Sequence, residues 1–168
     1  MSPETFAAID FETADYGADS ACAVAIVRCE GGKIVRRERR LLKPPRRQFA
    51  FTAIHGISWE DVREAPTFDE AWPELEGVLD GIDFLAAHNA SFDRRVLAAC
   101  CGAAGRASPG HRWVCTVRLS RKLWKLSSHA LPSVARHLGL SLKHHEPLSD
   151  AEACAGIVLA AKLDGAEV

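Results

Sequence analysis

Two acids, Asp10 and Glu12, close the apolar run "TFAAIDFE" with only Phe11 between them. On a strand alternate side chains share a face, so both acids project together, their backbones about 6.5–7 Å apart. Phe6 and Ala8 precede them on that face, which puts the pair where a core face meets a strand end. Neighbouring carboxylates repel there, and removing them from water is costly. A hard divalent cation is the simplest compensation. The competing reading leaves Glu12 pointing into solvent.

Two further acids have the same double character. In "FLAAHNASFD" a short buried strand reaches His88 and Asn89, and Asp93 falls in the first turn of the next helix. The helix dipole alone would favour a negative charge there, yet the carboxyl ends of strands are also where α/β sheets place ligands. In "HHEPLSDAEACAGIVLAA" Ser149 is the expected N-cap, with Glu152 three residues on and Asp150 in the first turn. Asp150, Cys154, Ile157, Val158 and Ala161 follow helical spacing, so Asp150 should lead a buried stripe. His145 precedes it by five residues in a segment broken by Pro147 and is expected to fold back towards it; His144 is the adjacent rival, expected to point elsewhere. Together, Asp10, Glu12, Asp93 and Asp150 could surround a metal pair. Two ions about 3.5–4 Å apart can stabilise both oxygens of a phosphodiester displacement. A histidine that titrates near neutrality suits a base acting on the attacking water.

The elements that must position these groups are legible in outline. "TFAAIDF" reads as a central strand, apolar on both faces. "ACAVAIVRCE" and "KIVRRERRLL" read as a hairpin turned at Gly31 and Gly32. "KPPRRQF" is a loop, because consecutive prolines cannot join a ladder. Ser58 is expected to cap a short helix "WEDVREA". Thr67 and Glu70 form a capping box for "FDEAWPELEGVLDG", which Pro73 should kink or shorten. "FLAAH" and "RWVCT" are short strands. "SFDRRVLAACCGAAG", "VRLSRKLW", "LPSVARHLGL" and "SDAEACAGIVLAAKL" are helices. No repeat or linker interrupts the 168 residues, so the expectation is one α/β domain, residues 1–168, with a mixed sheet.

Composition narrows the class. No secretory signal opens the chain, and no apolar run is long enough to span a membrane. The six cysteines are scattered without a CxxC pair, so reduced, mostly buried thiols and a cytoplasmic location are expected. A zinc site on Cys100, Cys101, His111 and Cys115 fits no zinc spacing. The net charge of −1 does not point to nucleic acid, but its distribution is uneven. Residues 33–47 hold eight basic residues against one acid, and residues 118–125 add four more. These segments are either solvated, charge-guarded surface or a track for phosphates.

"DFET", "HNASFD" and "HHEPLSD", in that order, resemble the three motifs of the DnaQ-like 3′–5′ exonucleases. His145 and Asp150, four residues between them, match the DEDDh subgroup; the sole tyrosine, Tyr16, lies far from the last motif. "FTAIHGIS" is similar to the loop before the second motif in proofreading-type members. The resemblance implies an RNase H-like fold, a five-stranded mixed sheet flanked by helices. It implies two Mg²⁺ or Mn²⁺ ions on Asp10, Glu12, Asp93 and Asp150, His145 as general base, and release of nucleoside 5′-monophosphates. It further implies that the backbone at Thr13 approaches the 3′ terminus. Phe11, Phe92 and His55 are candidate walls for the terminal nucleotide, with core packing as the competing role of the two phenylalanines. Many members continue with Thr-Gly after the glutamate; this chain has "TADYG", so the pocket there is its own. With the family in view, both basic segments gain weight as a phosphate track. DNA 3′ ends are the expected partner. An exoribonuclease, or a binding protein on this fold without catalysis, are the alternatives. The sequence stops soon after the last expected helix, so no tail for a stable polymerase partner is expected.

Overall fold

The apolar run that opens the chain becomes the centre of a five-stranded sheet in the computed structural model, which describes residues 4–168. β1 (Thr5–Thr13), β2 (Ala21–Glu30), β3 (Lys33–Leu41), β4 (Phe84–Ala87) and β5 (Arg112–Cys115) lie in the order β3-β2-β1-β4-β5. β1 pairs antiparallel with β2 and parallel with β4, and β5 extends the parallel half. Gly31 and Gly32 both have positive φ, as a two-residue turn of type I′ requires, and so set the β2–β3 register.

The helices are α1 (Thr52–His55), α2 (Trp59–Val62), α3 (Phe68–Gly77), α4 (Ala90–Ala103), α5 (Thr116–Leu123), α6 (Leu131–Leu138) and α7 (Pro147–Leu163). β1 is apolar on both faces because both are covered. Ala7, Ile9 and Phe11 join the core that includes Trp72 and Leu75 of α3 and Val96 and Leu97 of α4. Phe6 and Ala8 face Ala151, Cys154, Ala155 and Val158 of α7. α7 is itself roofed by α6 through Val134, Ala153 and Ile157, which explains an alanine-rich helix that is apolar all round.

Several expectations need correction. Helix "WEDVREA" is a single turn, Trp59–Val62, closed by a Ser58–Asp61 capping box. α3 passes through Pro73 and stops at Gly77, shorter than the run suggested. α1 is a one-turn helix in a stretch read as loop. α7 begins at Pro147, not after Ser149: Glu146 is its N-cap and accepts from the Ser149 N–H at 2.9 Å. Proline at the first helical position costs no hydrogen bond, which moves the start forward. The Ser149 hydroxyl instead accepts from the Lys143 N–H at 2.7 Å.

Candidate active site

The acid-bearing end of β1 is shaped by a break in its ladder. Glu12 pairs with Ala23 and Thr13 with Ala21, leaving Cys22 as an extra residue on β2. Such a bulge bends the strand and re-aims the side chains beyond it. His55 secures this bend: its Nδ1 accepts from the Ile57 N–H at 3.0 Å, so its Nε2 carries the proton and donates to the Thr13 carbonyl at 2.9 Å.

On the other side, β4 pairs with β1 only from Phe6 to Ala8. Beyond that point the strands diverge, and the Phe11 N–H donates to Asp93 Oδ1 at 2.9 Å. Asp93 reaches it because Asn89, at φ 71°, turns the chain directly from the end of β4 into α4. Asp93, 2% exposed, is therefore tied to the strand that carries Asp10 and Glu12.

The third contribution comes from the start of α7. Asp150 is 4% exposed, and its carboxylate receives two histidine contacts. His144 Nδ1 lies 3.2 Å from Oδ1, and the His145 backbone N–H donates to Oδ2 at 3.0 Å. His145 sits at φ 65°, a strained conformation for a residue with a Cβ. That turn stacks the two imidazoles with ring centres 3.7 Å apart. The expectation that His144 points elsewhere is thus corrected. Adjacent residues diverge on extended chain, but not across a left-handed residue.

Asp10, Glu12 and Asp150 present oxygens that all lie within 4.8 Å of one another, and so do the donor atoms of His144, His145 and Asp150. Asp93 stands outside these sets with Oδ1 committed to the backbone, but its charge still acts on Asp10. Asp10 Oδ2 is closed off from solvent and has no hydrogen-bond partner among the described residues. Burial, then the charges of Asp93, Glu12 and Asp150, push the Asp10 carboxyl well above the usual range. Glu12 is pushed up to about 8, first by burial and then by Asp150 and Asp93. Burial also raises Asp93 and Asp150, the latter against the opposing pull of His144. Four acids held together with no cationic side chain among them constitute a site built for positive charge. Oxygen donors of this kind suit hard divalent cations.

Asp10, Glu12 and Asp150 line a cleft of about 760 Å³, and Asp93 lies behind it. Phe11, Thr13, His55 and Phe92 all line it, although Phe11 is 2% exposed and also belongs to the core. Phe51, Ile54, Asn89, Arg121 and His129 line it too, and none of these was singled out for the site from sequence. Asn89 had a visible signal as a turn residue after a buried strand. The 127–130 segment had none: it reaches the cleft because half-buried His88 contacts the His129 carbonyl through Nε2 at 2.9 Å and Thr116 Oγ1 through Nδ1 at 2.8 Å. Burial pushes His88 down to about 4, so it is neutral and serves as a strut.

Residues 7–158 match the RNase_T exonuclease family. The chain belongs to this family. The exonuclease chain is 33% identical over 159 residues to a PolC-type DNA polymerase III of Thermotoga maritima, covering 92% of this chain and 12% of the polymerase. It is 34% identical over 144 residues to exodeoxyribonuclease 10 of Escherichia coli K12, covering 81% of this chain and 59% of that one. Among solved structures, exonuclease X in complex with 5′-overhanging duplex DNA superposes with a TM-score of 0.77 at 27% identity, covering 96% of this chain and 94% of that one. The nuclease domain of 3′hExo, a DEDDh member bound to rAMP, superposes at 0.81 with 19% identity over 99% and 95% of the two chains, and supports the fold. Enzymes of this family generally depend on divalent metal, and the acid cluster suits that requirement. Among the described residues, no helix is long and apolar enough to cross a membrane.

Proposed function

We propose that this exonuclease removes nucleotides from DNA, acting on single-stranded or frayed 3′ ends and releasing nucleoside 5′-monophosphates. One observation carries the reading: three carboxylates with mutually close oxygens, one of them the unpartnered, closed-off Asp10 Oδ2, on the floor of an open cleft. Asp10, Glu12 and Asp150, with Asp93 behind them, would hold two divalent ions, Mg²⁺ or Mn²⁺. Bound there, the ions would supply positive charge to the phosphate and to the attacking and leaving oxygens.

The chain's own side chains do the rest. A ring nitrogen of His145 takes the proton of the attacking water. Burial, with His144 and His55 nearby, holds His145 below the ordinary histidine value despite the opposing influence of Asp150, so the ring is free to accept a proton at neutral pH. Phe92 offers apolar surface to the terminal nucleotide, with Phe11 packed in the core beneath the cleft, and Thr13, positioned by the bulge and by His55, contributes backbone beside the 3′ terminus. Preference for DNA rests on exodeoxyribonuclease 10 and on the DNA complex of exonuclease X, the relatives of higher identity.

The test is a 5′-labelled single strand of DNA, and RNA of the same sequence, incubated with Mg²⁺, with Mn²⁺ or with EDTA. A ladder shortening from the 3′ end, dependent on metal and faster on DNA, is expected. Faster cutting of RNA would assign the site to RNA. No shortening of either strand would leave a binding protein on this fold.

A further inference from the structure

The acid cleft does not end at Arg121. A second cavity of about 790 Å³ adjoins it, and Asn89, Val117 and Arg121 border both. It lies between the first turns of α4 and the β5–α5 junction and is lined by Arg94, Arg95, Arg118 and Arg121, all exposed, with no acid among its lining residues. None of the four has a carboxylate partner among the described residues; Arg95 rests over the Phe92 ring, 5.9 Å from its centre. The arginines of β3, by contrast, are engaged by Glu38, Glu74, Glu146 and Glu152. Burial would raise the Cys115 thiol, but the N–H groups of Arg118, Ala90, Val117 and Asn89 outweigh it and lower it on balance.

We infer that this cavity holds the phosphates of the substrate strand upstream of the nucleotides in the acid cleft, so that one strand runs from the arginines to the acids. The inference rests on the exonuclease reading and adds where the rest of the strand lies. Ions held by the acids would meet the phosphate being cleaved, so the phosphates farther along the strand need partners of their own. Four unpaired guanidiniums on the adjoining wall supply them, each able to meet a phosphate with paired donors. The shared border makes the two cavities one path, which a single continuous strand can follow.

The test compares wild type with the double variant Arg94→Ala/Arg118→Ala on a dodecamer of deoxythymidine, on the dinucleotide, and on the p-nitrophenyl ester of thymidine 5′-monophosphate. For the dodecamer KM should rise roughly tenfold, the size of two lost phosphate contacts, with kcat retained and a shallower salt dependence. Hydrolysis of the ester, which has no upstream phosphate, should be unchanged. An independent readout is labelling of Cys115 by N-ethylmaleimide, followed by mass spectrometry; the other five cysteines are buried. The dodecamer should protect Cys115 and the dinucleotide should not. Equal protection by both, or an unchanged KM, overturns the inference. So does a loss of affinity seen only when a complementary strand is present, which would give the cavity to the second strand. If wild type cleaves neither DNA nor ester, the exonuclease reading fails, and the Cys115 labelling still decides whether a strand occupies the cavity.

Discussion

Two parts of this molecule crowd charge, and they resolve it in opposite ways. Along the outer edge of the sheet, the arginines of β3 lie half-exposed and meet carboxylates: Arg36 and Arg40 with Glu38, Arg37 with Glu152, Arg39 with Glu146. Arg46 is held between Asp15 and Asp19. At the end of β1, four acids are packed together with only histidines for company. The first arrangement ties an edge strand to α7 and pairs most of its arginines with carboxylates of the chain itself. The second is relieved only in part, by the Phe11 and His145 N–H groups and by His144. Charge density alone does not mark function; charge left uncompensated in a buried place does.

The contrast can be broken most sharply at Asp10. Asp10→Asn should abolish exonuclease activity in Mg²⁺, yet the metal-free variant should melt no lower than wild type at pH 8, because an uncompensated charge has been removed. A drop in melting temperature together with retained activity would make Asp10 a structural group. Next comes His145→Ala, expected to lower kcat by about 10²–10⁴-fold while leaving metal affinity nearly unchanged. An unchanged rate would move the base role to His144, which shares the stacked pair.

The pH response separates the two regions without mutation. Glu12 is raised from its ordinary 4.5 to about 8, so the folded protein favours its protonated form. That contribution is fully present below the ordinary carboxylate value and is lost as pH climbs through 8. The metal-free protein should therefore melt progressively lower from pH 5 to pH 9, Mg²⁺ should restore the loss, and Glu12→Gln should flatten the slope. A flat profile in the wild type would show that the acids are compensated in some other way. The smallest effect belongs to the edge strand. Arg37→Ala, which removes an exposed ion pair with Glu152, should cost less than about 1 kcal/mol in urea unfolding and leave exonuclease rates unchanged.

Much of this layout is legible before folding because it is governed by short-range rules. The apolar double face of β1, the Gly31-Gly32 turn and the capping box of α3 depend on neighbours a few residues apart, and each stands where sequence places it. The start of α7 is local too, yet it is misread. Ser149 is a favoured cap, but Pro147 at the first helical position wins and the Ser149 hydroxyl serves Lys143. The orientation of His144 is missed for a different reason. Only a left-handed His145 brings the two rings onto one another, and no residue type announces that conformation.

The sequence by itself determined the chemistry available: acids at the end of an apolar strand, acids at the starts of two helices, and a histidine five residues before the last. Those identities are fixed by covalent structure and by strand and helix periodicity. What the tertiary structure alone decided is which charges meet. Arg37 and Arg39 find carboxylates more than a hundred positions away, while Arg94 and Arg118, equally basic in the sequence, find none among the described residues. Asp93 reaches the Phe11 amide across 82 positions because β4 stops pairing with β1 just where that amide needs an acceptor. Pairing of this kind depends on distances that only the packed chain defines, and Coulomb energy falls with distance whatever the spacing along the chain.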